Sequence, residues 1–475
     1  MAIPTAPIAR YQKDKFFRFP ADRELTETEL RKFIAKNDRL FERKFKKLID
    51  AYEGRYDIFK QAPKPKFKPD NRVAIDFAGT VTDTFEGFFM GTPPTFSSDD
   101  ENVQAYITHL HSYIGVDDHN AELSNAVSIY GRAYEIYFVD TYGDIDTAVL
   151  SPIDGFMIYD EGIDADPLYF VRTYYDYDNI RRGSIADEQF VRYFRFEGGF
   201  HWDGEPQPHG FAGVPATEYI QNDSRKGIFE GALSAINEYN KALSEKGNDV
   251  DAFADAYLKI LGADIDKKTL TWMRDNRIIN LKQTMDGRPV DVGFLTKPNA
   301  DTTQEHLIDR LERGIFITSK VINLFDEKVQ TASGEALRQR MTPMIALAGT
   351  KSRKMDNGFK RRYMMIFSNP CSGMDPDAWT EVTWKYHLAL PDTLKDEAET
   401  AGKLAGIVSR RKQLSTLSIV DDVDKEIEEI EKENSLPYTD GYEISRTPAA
   451  DSSDDAGDGD DLWRTRRRLK MKRTG

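Results

Sequence analysis

Two amphipathic patterns dominate the stretch 301–369. In the first, apolar residues recur at helical spacing, at Leu307, Ile308, Leu311, Ile315 and Ile322. Thr302 and Glu305 have the spacing of a capping box that would open this helix. The second pattern follows a cap at Ser333 and keeps one face apolar, at Leu337, Met341, Ile345, Ala348, Met355, Phe359 and Tyr363. The stretch therefore predicts two helices joined by the loop 325–332.

Pro343 lies inside the second and longer of these predicted helices. Proline has no backbone N–H to bond to the carbonyl of residue i−4, and its ring crowds that carbonyl. We therefore expect a kink near Gln339. A helix of this length cannot lie across one small globular core, so it is expected to connect layers of the protein.

The chain before these helices predicts an α+β fold. Thr26 and Glu29 form a capping box at the start of a first helix, and further helices are predicted over 73–89 and 102–114. Between residues 132 and 220, short alternating strands are separated by turns rich in glycine and aspartate. Helices combined with antiparallel strands are typical of α+β domains.

The remaining predicted elements lie on either side of the central helices. They are a helix capped by Ser224, a helical stretch 250–261, strands 277–283 and 290–295, a strand 379–390, and helices 395–411 and 419–434. Asp286-Gly287, between the paired strands, is a strong hairpin signal. From Thr447 the composition changes to serine, aspartate and glycine and then to arginine and lysine, which predicts a disordered tail.

Composition and charge exclude several classes of protein. The 475-residue chain is long enough for several domains. Its net charge of −15 argues against a protein that grips nucleic acid over its whole surface. The single cysteine, Cys371, excludes an intramolecular disulfide framework and a cysteine-rich metal site. No stretch has the length and apolarity of a secretion signal or a transmembrane helix, so neither is expected.

Several motifs together resemble the portal proteins of siphophage-type tailed bacteriophages. The run Ser333-Gly-Glu-Ala-Leu is entered from an amphipathic helix and continued by a long, basic and methionine-rich helix. This arrangement is similar to the second stem helix, tunnel loop and following helix of that family. Asn71-Arg72, placed before a helix that closes on the turn 87–93, resembles the entry to the family's wing domain. The resemblance extends over about residues 26–434.

The resemblance implies a portal-type fold in which the segments follow one another in a fixed order. They are a wing domain with an N-terminal arm and helix (1–224), a first stem helix region (225–261), a small β clip (262–300), a second stem helix (301–324), a tunnel loop (325–333), a long kinked helix with a returning wing strand (334–390), a helical crown (391–446) and a disordered acidic and basic tail (447–475). The basic end of the tail is expected to touch nucleic acid or scaffold, or to neutralise the acidic block before it.

The resemblance also implies a function. The chain is expected to form a ring, dodecameric in the family, at one capsid vertex of a virion assembled in the host cytoplasm. Such a ring would nucleate procapsid assembly with scaffold and major capsid protein, and would dock the terminase large subunit. It would pass double-stranded DNA without sequence specificity during packaging and ejection, and would later bind head-completion or adaptor proteins. No enzymatic activity, cofactor, metal or membrane association is implied.

Two groups of site residues follow from the same resemblance. The tunnel loop, expected to face the DNA channel, comprises Phe325, Asp326, Glu327, Lys328, Val329, Gln330, Thr331 and Ala332. Its acids would repel phosphate, Lys328 would make weak contacts, and Phe325 would anchor the root of the loop. Asp286, Gly287 and Arg288 form the tip of the clip, which is expected to dock terminase and adaptor proteins.

Two alternatives from other functional classes remain open at this point. One is a metal-dependent nuclease of a phage packaging operon, whose candidate ligands would be His109, Asp117, Asp118, Asp377 and Glu381. Against it, His109 and His111 are two positions apart on a predicted helix and so face away from each other. The other is a monomeric interaction module. A large ring would separate the portal hypothesis from both.

Overall fold

The computed structural model describes residues 17–65, 68–254, 258–261, 268, 291–294, 301–331, 334–390, 394–417, 419–420 and 423–435. The chain divides into two compact units, residues 1–391 and 392–475. The predicted tip of the clip, Asp286 to Arg288, and the predicted tail, 447–475, lie outside the described residues, as does Ala332. No helix in the described part of the chain is long and apolar enough to cross a membrane.

The larger unit contains nine of the helices that the structure describes, and we number them in chain order. They are α1 (Glu27–Leu40), α2 (Lys46–Tyr52), α3 (Phe77–Phe89), α4 (Glu101–Ile114), α5 (Val116–Tyr130), α6 (Leu233–Ala254), α7 (Asp301–Ser319), α8 (Glu327–Gln330) and α9 (Gly334–Ser368). A π-helical turn, Phe41–Phe45, joins α1 to α2. The capping box predicted for the first helix is confirmed, because Thr26 and Glu29 each accept from the other's backbone N–H.

The strands form four sheets among the described residues. They are β1 (Phe17–Arg18), β2 (Thr92–Ser97), β3 (Arg132–Val139), β4 (Ile145–Leu150), β5 (Gly155–Tyr159), β6 (Pro167–Tyr175), β7 (Arg181–Ala186), β8 (Phe190–Phe196), β9 (Phe200–Pro208), β10 (Ala216–Ile220), β11 (Leu258–Leu261), β12 (Asp291–Phe294) and β13 (Thr383–His387). The sheet orders are β1-β5-β6-β7-β8-β9, β10-β3-β4, β11-β12 and β13-β2. All pairs are antiparallel except β1 with β5. The mixture of helices and antiparallel sheets confirms the α+β prediction.

The main core lies between the three-stranded sheet and the helices packed on it. Helix α5 contacts β3 and β4, and α9 crosses β10. Most of the apolar stripe predicted for α9 is buried there: Met341, Ala348, Met355 and Phe359 are buried, Leu337 and Ile345 are partly buried, and Tyr363 packs in a second cluster. The helix runs continuously through Pro343. The kink at that residue stays a prediction.

Two predicted helix boundaries on the N-terminal side of the clip are wrong. The helix expected from Ser224 begins at Leu233, because residues 225–232 form turns against the end of α5, where the Ile228 N–H donates to the Ser128 carbonyl at 2.8 Å. The expected helix 250–261 ends at Ala254. Residues 258–261 instead form strand β11, which pairs with β12. A short apolar run is compatible with either a helix or a strand. Here pairing with β12, which is distant in sequence, makes it a strand.

The boundaries of the second predicted stem helix also require correction. Helix α7 begins at Asp301, so Thr302 lies inside its first turn rather than at its cap. The helix ends at Ser319, since Lys320 adopts a left-handed conformation with φ of 62°. Ile322 therefore lies outside the helix, although it is buried as its pattern required. The chain between 320 and 326 is irregular.

After α9, the predicted strand 379–390 is shorter than expected. A 3-10 turn, Ala378–Glu381, precedes β13, which pairs with β2. In the smaller unit, the single helix predicted over 395–411 is two helices, α10 (Leu394–Leu404) and α11 (Arg410–Leu414). Gly406, with φ of 78°, lies in the turn between them. The last helix, α12, spans Val423–Ser435.

Candidate functional site

The predicted tunnel loop is a short helical segment rather than an open loop. Helix α8 occupies its centre, where the Val329 and Gln330 N–H groups donate to the Asp326 carbonyl at 2.8 and 3.1 Å. The backbone N–H and the hydroxyl of Thr331 both donate to the Glu327 carbonyl, at 3.1 and 2.9 Å. These hydrogen bonds give the segment a defined backbone. The predicted loop therefore contains a single helical turn, and its position in a channel stays a prediction.

Burial divides the segment into a packed side and a solvent side. Val329 is buried in the main core, whereas Phe325 is 75 % exposed. The expected anchoring role of Phe325 is therefore wrong, and Val329 makes that contact. Asp326 and Glu327 are both exposed, so their carboxylates are presented to solvent. Among the described side chains of this segment, Val329 is buried, and the carboxylates of Asp326 and Glu327 are exposed.

Asn323 fastens the segment to helix α7. Its side-chain N–H group donates to Glu312 Oε1 at 2.9 Å, and its Oδ1 accepts from the Phe325 N–H at 3.0 Å. Val321 and Ile322, just before it, are buried. One side-chain amide thus links the helix, the turn and the beginning of α8, and this contact fixes where the acidic residues lie.

Helix α7 and the turn after it expose several large apolar side chains. Leu307, Ile317, Leu324 and Phe325 are between 47 % and 76 % exposed. Elsewhere on the same helix, Ile308 and Ile315 are buried against the rest of the chain. Helix α7 therefore has an inner apolar stripe and further apolar residues that this protomer leaves uncovered.

Helix α6 is joined to the chain before α3 by a ladder of polar contacts. Alternate N–H groups of residues 71–75 donate to side chains one turn apart on α6, namely Asn71 to Asn248 at 2.6 Å, Val73 to Ser244 at 3.0 Å and Ile75 to Asn240 at 2.9 Å. Two extended residues advance about 6.6 Å, and one helical turn of four residues advances about 6 Å. Because these two distances are nearly equal, the extended residues 71–75 can run alongside α6 and make the same kind of hydrogen bond at each turn.

Lys351 is one of two cations of α9 that are fully buried among the described residues. Its Nζ lies 2.6 Å from Glu86 Oε1, 2.9 Å from the Ser124 carbonyl and 2.9 Å from Ser128 Oγ. Burial lowers the pKa of the Lys351 ammonium, and the adjacent Glu86 carboxylate opposes that effect. The lysine therefore ties α9 to both α3 and α5.

Arg362 is the second buried cation and lies three turns further along α9. Its guanidinium contacts Glu135 at 2.8 Å and Asn120 Oδ1 at 2.8 Å. Glu135 also binds His119 Nε2 at 2.7 Å. Burial by itself would raise the pKa of Glu135, but Arg362 and His119 hold it well below its usual value. The network keeps a charged pair inside the core.

Sequence reasoning missed both cations, although the sequence contained a signal for them. Lys351 falls on the apolar stripe between Ala348 and Met355, and Arg362 lies between Phe359 and Ile366 at the same helical spacing. A charged residue at the helical spacing of a buried face has two interpretations: either that part of the face is exposed, or the charge is buried with a partner of opposite charge. Here both are ion pairs.

The residues proposed as nuclease ligands are not brought together. No three His, Cys, Asp or Glu side chains of the described residues are placed to hold a metal ion. His111 contacts the Tyr363 hydroxyl at 2.6 Å, and burial lowers the pKa of this imidazole to about 4. His109 is exposed, and Asp117 and Asp118 lie in the exposed first turn of α5. This geometry does not support the nuclease alternative.

Comparisons with known proteins agree on one family. The model of a family described as phage portal protein, SPP1 Gp6-like, matches residues 31–435. The portal protein of Bacillus phage SPP1 is 23 % identical over 408 residues, which cover 80 % of this chain and 79 % of that protein. The family match begins within α1 and includes α2 to α9, the predicted tunnel loop and the helices of the smaller unit.

Proposed function

Because this chain belongs to the SPP1 Gp6-like family of phage portal proteins, we propose that it forms a twelve-membered ring that conducts double-stranded DNA. Its family makes it a component of the virion capsid that associates as a homo-oligomeric ring. The finer proposal is that this ring lies at one vertex, nucleates procapsid assembly in the host cytoplasm and passes DNA during packaging and ejection.

The observation that carries the channel proposal is the way in which residues 323–331 are held. Val329 packs the segment into the core and Asn323 fastens it to α7, while Asp326 and Glu327 remain exposed. A channel lining must stay in place under a moving polyanion without binding it, since each lysine–phosphate contact releases counterions and holds the DNA. A rigid, acidic segment meets both requirements.

The uncovered apolar side chains of α7 support assembly into a ring. In a ring, different surfaces of neighbouring copies meet, and the rotation closes. Ile317 is 76 % exposed and Leu307 is 50 % exposed, on a helix that the resemblance places in the stem. Burial of such side chains against a neighbour contributes about 25 cal/mol per Å² of apolar area.

The mass of the assembly tests the proposal directly. Native mass spectrometry or mass photometry should give a closed species of twelve chain masses, and negative-stain images should show rings. Ile317→Asp should shift the distribution toward small species, because a carboxylate would be buried at the interface. The matched control is Asp309→Asn, a polar substitution on the same helix that introduces no new charge. Compact monomers or two-fold dimers of the unaltered chain would refute the ring.

We also propose that the clip docks terminase and adaptor proteins. Pairing of Leu261 with Asp291 brings the two ends of the insert together, so residues 262–290 can be replaced by a short turn while β11 and β12 are kept. This variant should form rings of normal mass and lose binding of the terminase large subunit. A variant with the same length of insert and a scrambled sequence is the control. Undiminished terminase binding by the shortened ring would contradict the docking role.

A further inference from the structure

A groove of about 900 Å³ separates the outer faces of two sheets in the wing portion of the chain. Ile136, Phe138 and Leu150 line one wall, and Phe170, Arg172 and Tyr193 line the other. Opposite residues of paired strands share a face, which places the first three together on β3–β4 and the last three together on β6–β8. The groove is therefore an apolar surface that two rigid sheets hold open.

Arg172 is the one permanently charged side chain among the described residues that line this groove. Its guanidinium carbon lies 4.6 Å from the ring centre of Tyr174, and its Nε is buried without a hydrogen-bond partner among the described residues. The Arg172 side chain as a whole is half-buried, so its positive charge can be reached from the groove. The groove thus fits an occupant that supplies aromatic or aliphatic surface together with a carboxylate.

The turn between β6 and β7 has this chemistry. Tyr177 is fully exposed and Tyr175 is 65 % exposed, and Asp178 beside them is also exposed. The turn is rigid, because Asp176 accepts from the Ile180 N–H at 2.9 Å and from Arg182 Nε at 2.6 Å. A preorganised turn loses little conformational entropy when it binds.

We propose that the turn 176–180 of one copy inserts Tyr177 into this groove of the neighbouring copy, with Asp178 facing Arg172. The inference rests on the proposed ring, in which each contact joins two different surfaces of the same chain. The turn and the groove are such a pair of surfaces. Ligand pockets of about 300–1,000 Å³ enclose whole small molecules, so the groove is large enough for the tyrosine rings.

Two other exposed tips fit less well. Tyr142 is 86 % exposed, but it is the one aromatic side chain of its turn, whereas Tyr175 and Tyr177 lie together beside Asp178. Ile163, in the turn between β5 and β6, is fully exposed and offers a single aliphatic side chain without an aromatic neighbour in its turn. Ile163 therefore serves as the control tip.

The single cysteine makes a decisive cross-linking test possible. Cys371 is exposed and lines the groove, and a chain with one cysteine can be linked into dimers at most. Tyr177→Cys adds a second thiol. If the tip of one copy lies in the groove of the next, a short bismaleimide can join residue 177 of each copy to Cys371 of its neighbour, and so link many copies in series. Tyr177→Cys rings should then give a ladder of covalent oligomers in denaturing gels. Ile163→Cys, and Tyr177→Cys combined with Cys371→Ser, should not.

Charge reversal tests the pairing of Arg172 with Asp178. In the Tyr177→Cys background, Arg172→Glu should lower the ladder yield roughly tenfold, because like charges then face each other. Adding Asp178→Lys should restore it. Rings of each variant are verified by mass without cross-linker. Normal rings without a ladder, a ladder from Ile163→Cys, or no recovery in the charge-swapped variant would overturn the inference while leaving the portal function intact. Absence of any ring would overturn both.

Discussion

Replacement of Arg362 by methionine should strongly destabilise the larger unit. The guanidinium is 1 % exposed and lies 2.8 Å from the fully buried Glu135. Methionine occupies a similar volume, so the main effect is the loss of charge compensation rather than a cavity. Removing one partner of a buried ion pair costs about 3–5 kcal/mol, because the other charge is left unpaired in the core.

The pH dependence of this loss distinguishes charge from packing. In the native chain, Arg362 keeps the pKa of Glu135 low, so the carboxylate remains ionised when the pH falls from 8 to 6. Without Arg362, burial raises the pKa of the Glu135 carboxyl above its value in the unfolded chain. A raised pKa gives stability that is present at low pH and lost as the pH rises. The variant should therefore recover by up to about 1.4 kcal/mol per pH unit on acidification.

The assay is chaotrope unfolding at fixed protein concentration, at about pH 8 and about pH 6. Arg31→Met is the matched control, since Arg31 pairs with Glu27 at 3.6 Å on an exposed face of α1. Its cost should be about 0.3–0.5 kcal/mol. Arg362→Met combined with Glu135→Gln should be more stable than Arg362→Met alone. A cost below about 1 kcal/mol at the higher pH, or a cost independent of pH, would refute the reasoning.

Three further predictions concern the tunnel segment and the packing of α9. Asp326→Lys with Glu327→Lys should leave the mass of the ring unchanged. Because the added cations hold phosphate, the variant should bind DNA more tightly at low salt and give fewer filled heads. Filter binding measures the affinity for DNA, and particle counts measure the yield of filled heads. Val329→Ala should cost about 1.5–3 kcal/mol of unfolding free energy, since its side chain is buried. Gly358→Ala should cost about 1–3 kcal/mol, because a Cβ there would lie 2.1 Å from the Tyr219 ring.

Each of these variants has a control in the same chain. Glu161→Lys with Asp164→Lys makes the same change of charge on the exposed turn between β5 and β6 and should not alter packaging. Phe325→Ala should change stability by under about 0.5 kcal/mol, because Phe325 is exposed. Gly349→Ala, on α9 and 3.8 Å from the Arg353 guanidinium, should stabilise the helix by up to about 1 kcal/mol. Equal effects of a variant and its control would contradict the corresponding prediction.

Local signals in the sequence determined much of this protein. The Thr26–Glu29 capping box, the end of helix α3 and the extent of α9 were predictable because each depends on neighbours within one or two turns, although α3 begins at Phe77 rather than at the predicted residue 73. The antiparallel strands between residues 132 and 220 were predictable for the same reason, since alternation and turn residues are local. These elements fixed the α+β class.

Tertiary structure decided what depended on distant residues. Residues 258–261 became a strand because they pair with residues 291–294, a segment that the sequence predicted as a strand but paired with 277–283. Val329 rather than Phe325 anchors residues 323–331, because Val329 faces the hydrophobic core and Phe325 faces solvent. Lys351 and Arg362 are tolerated on an apolar stripe because Glu86 and Glu135, more than 200 residues earlier, compensate their charge. A buried charge requires a partner close in space, and the sequence does not state which residues the fold will bring there.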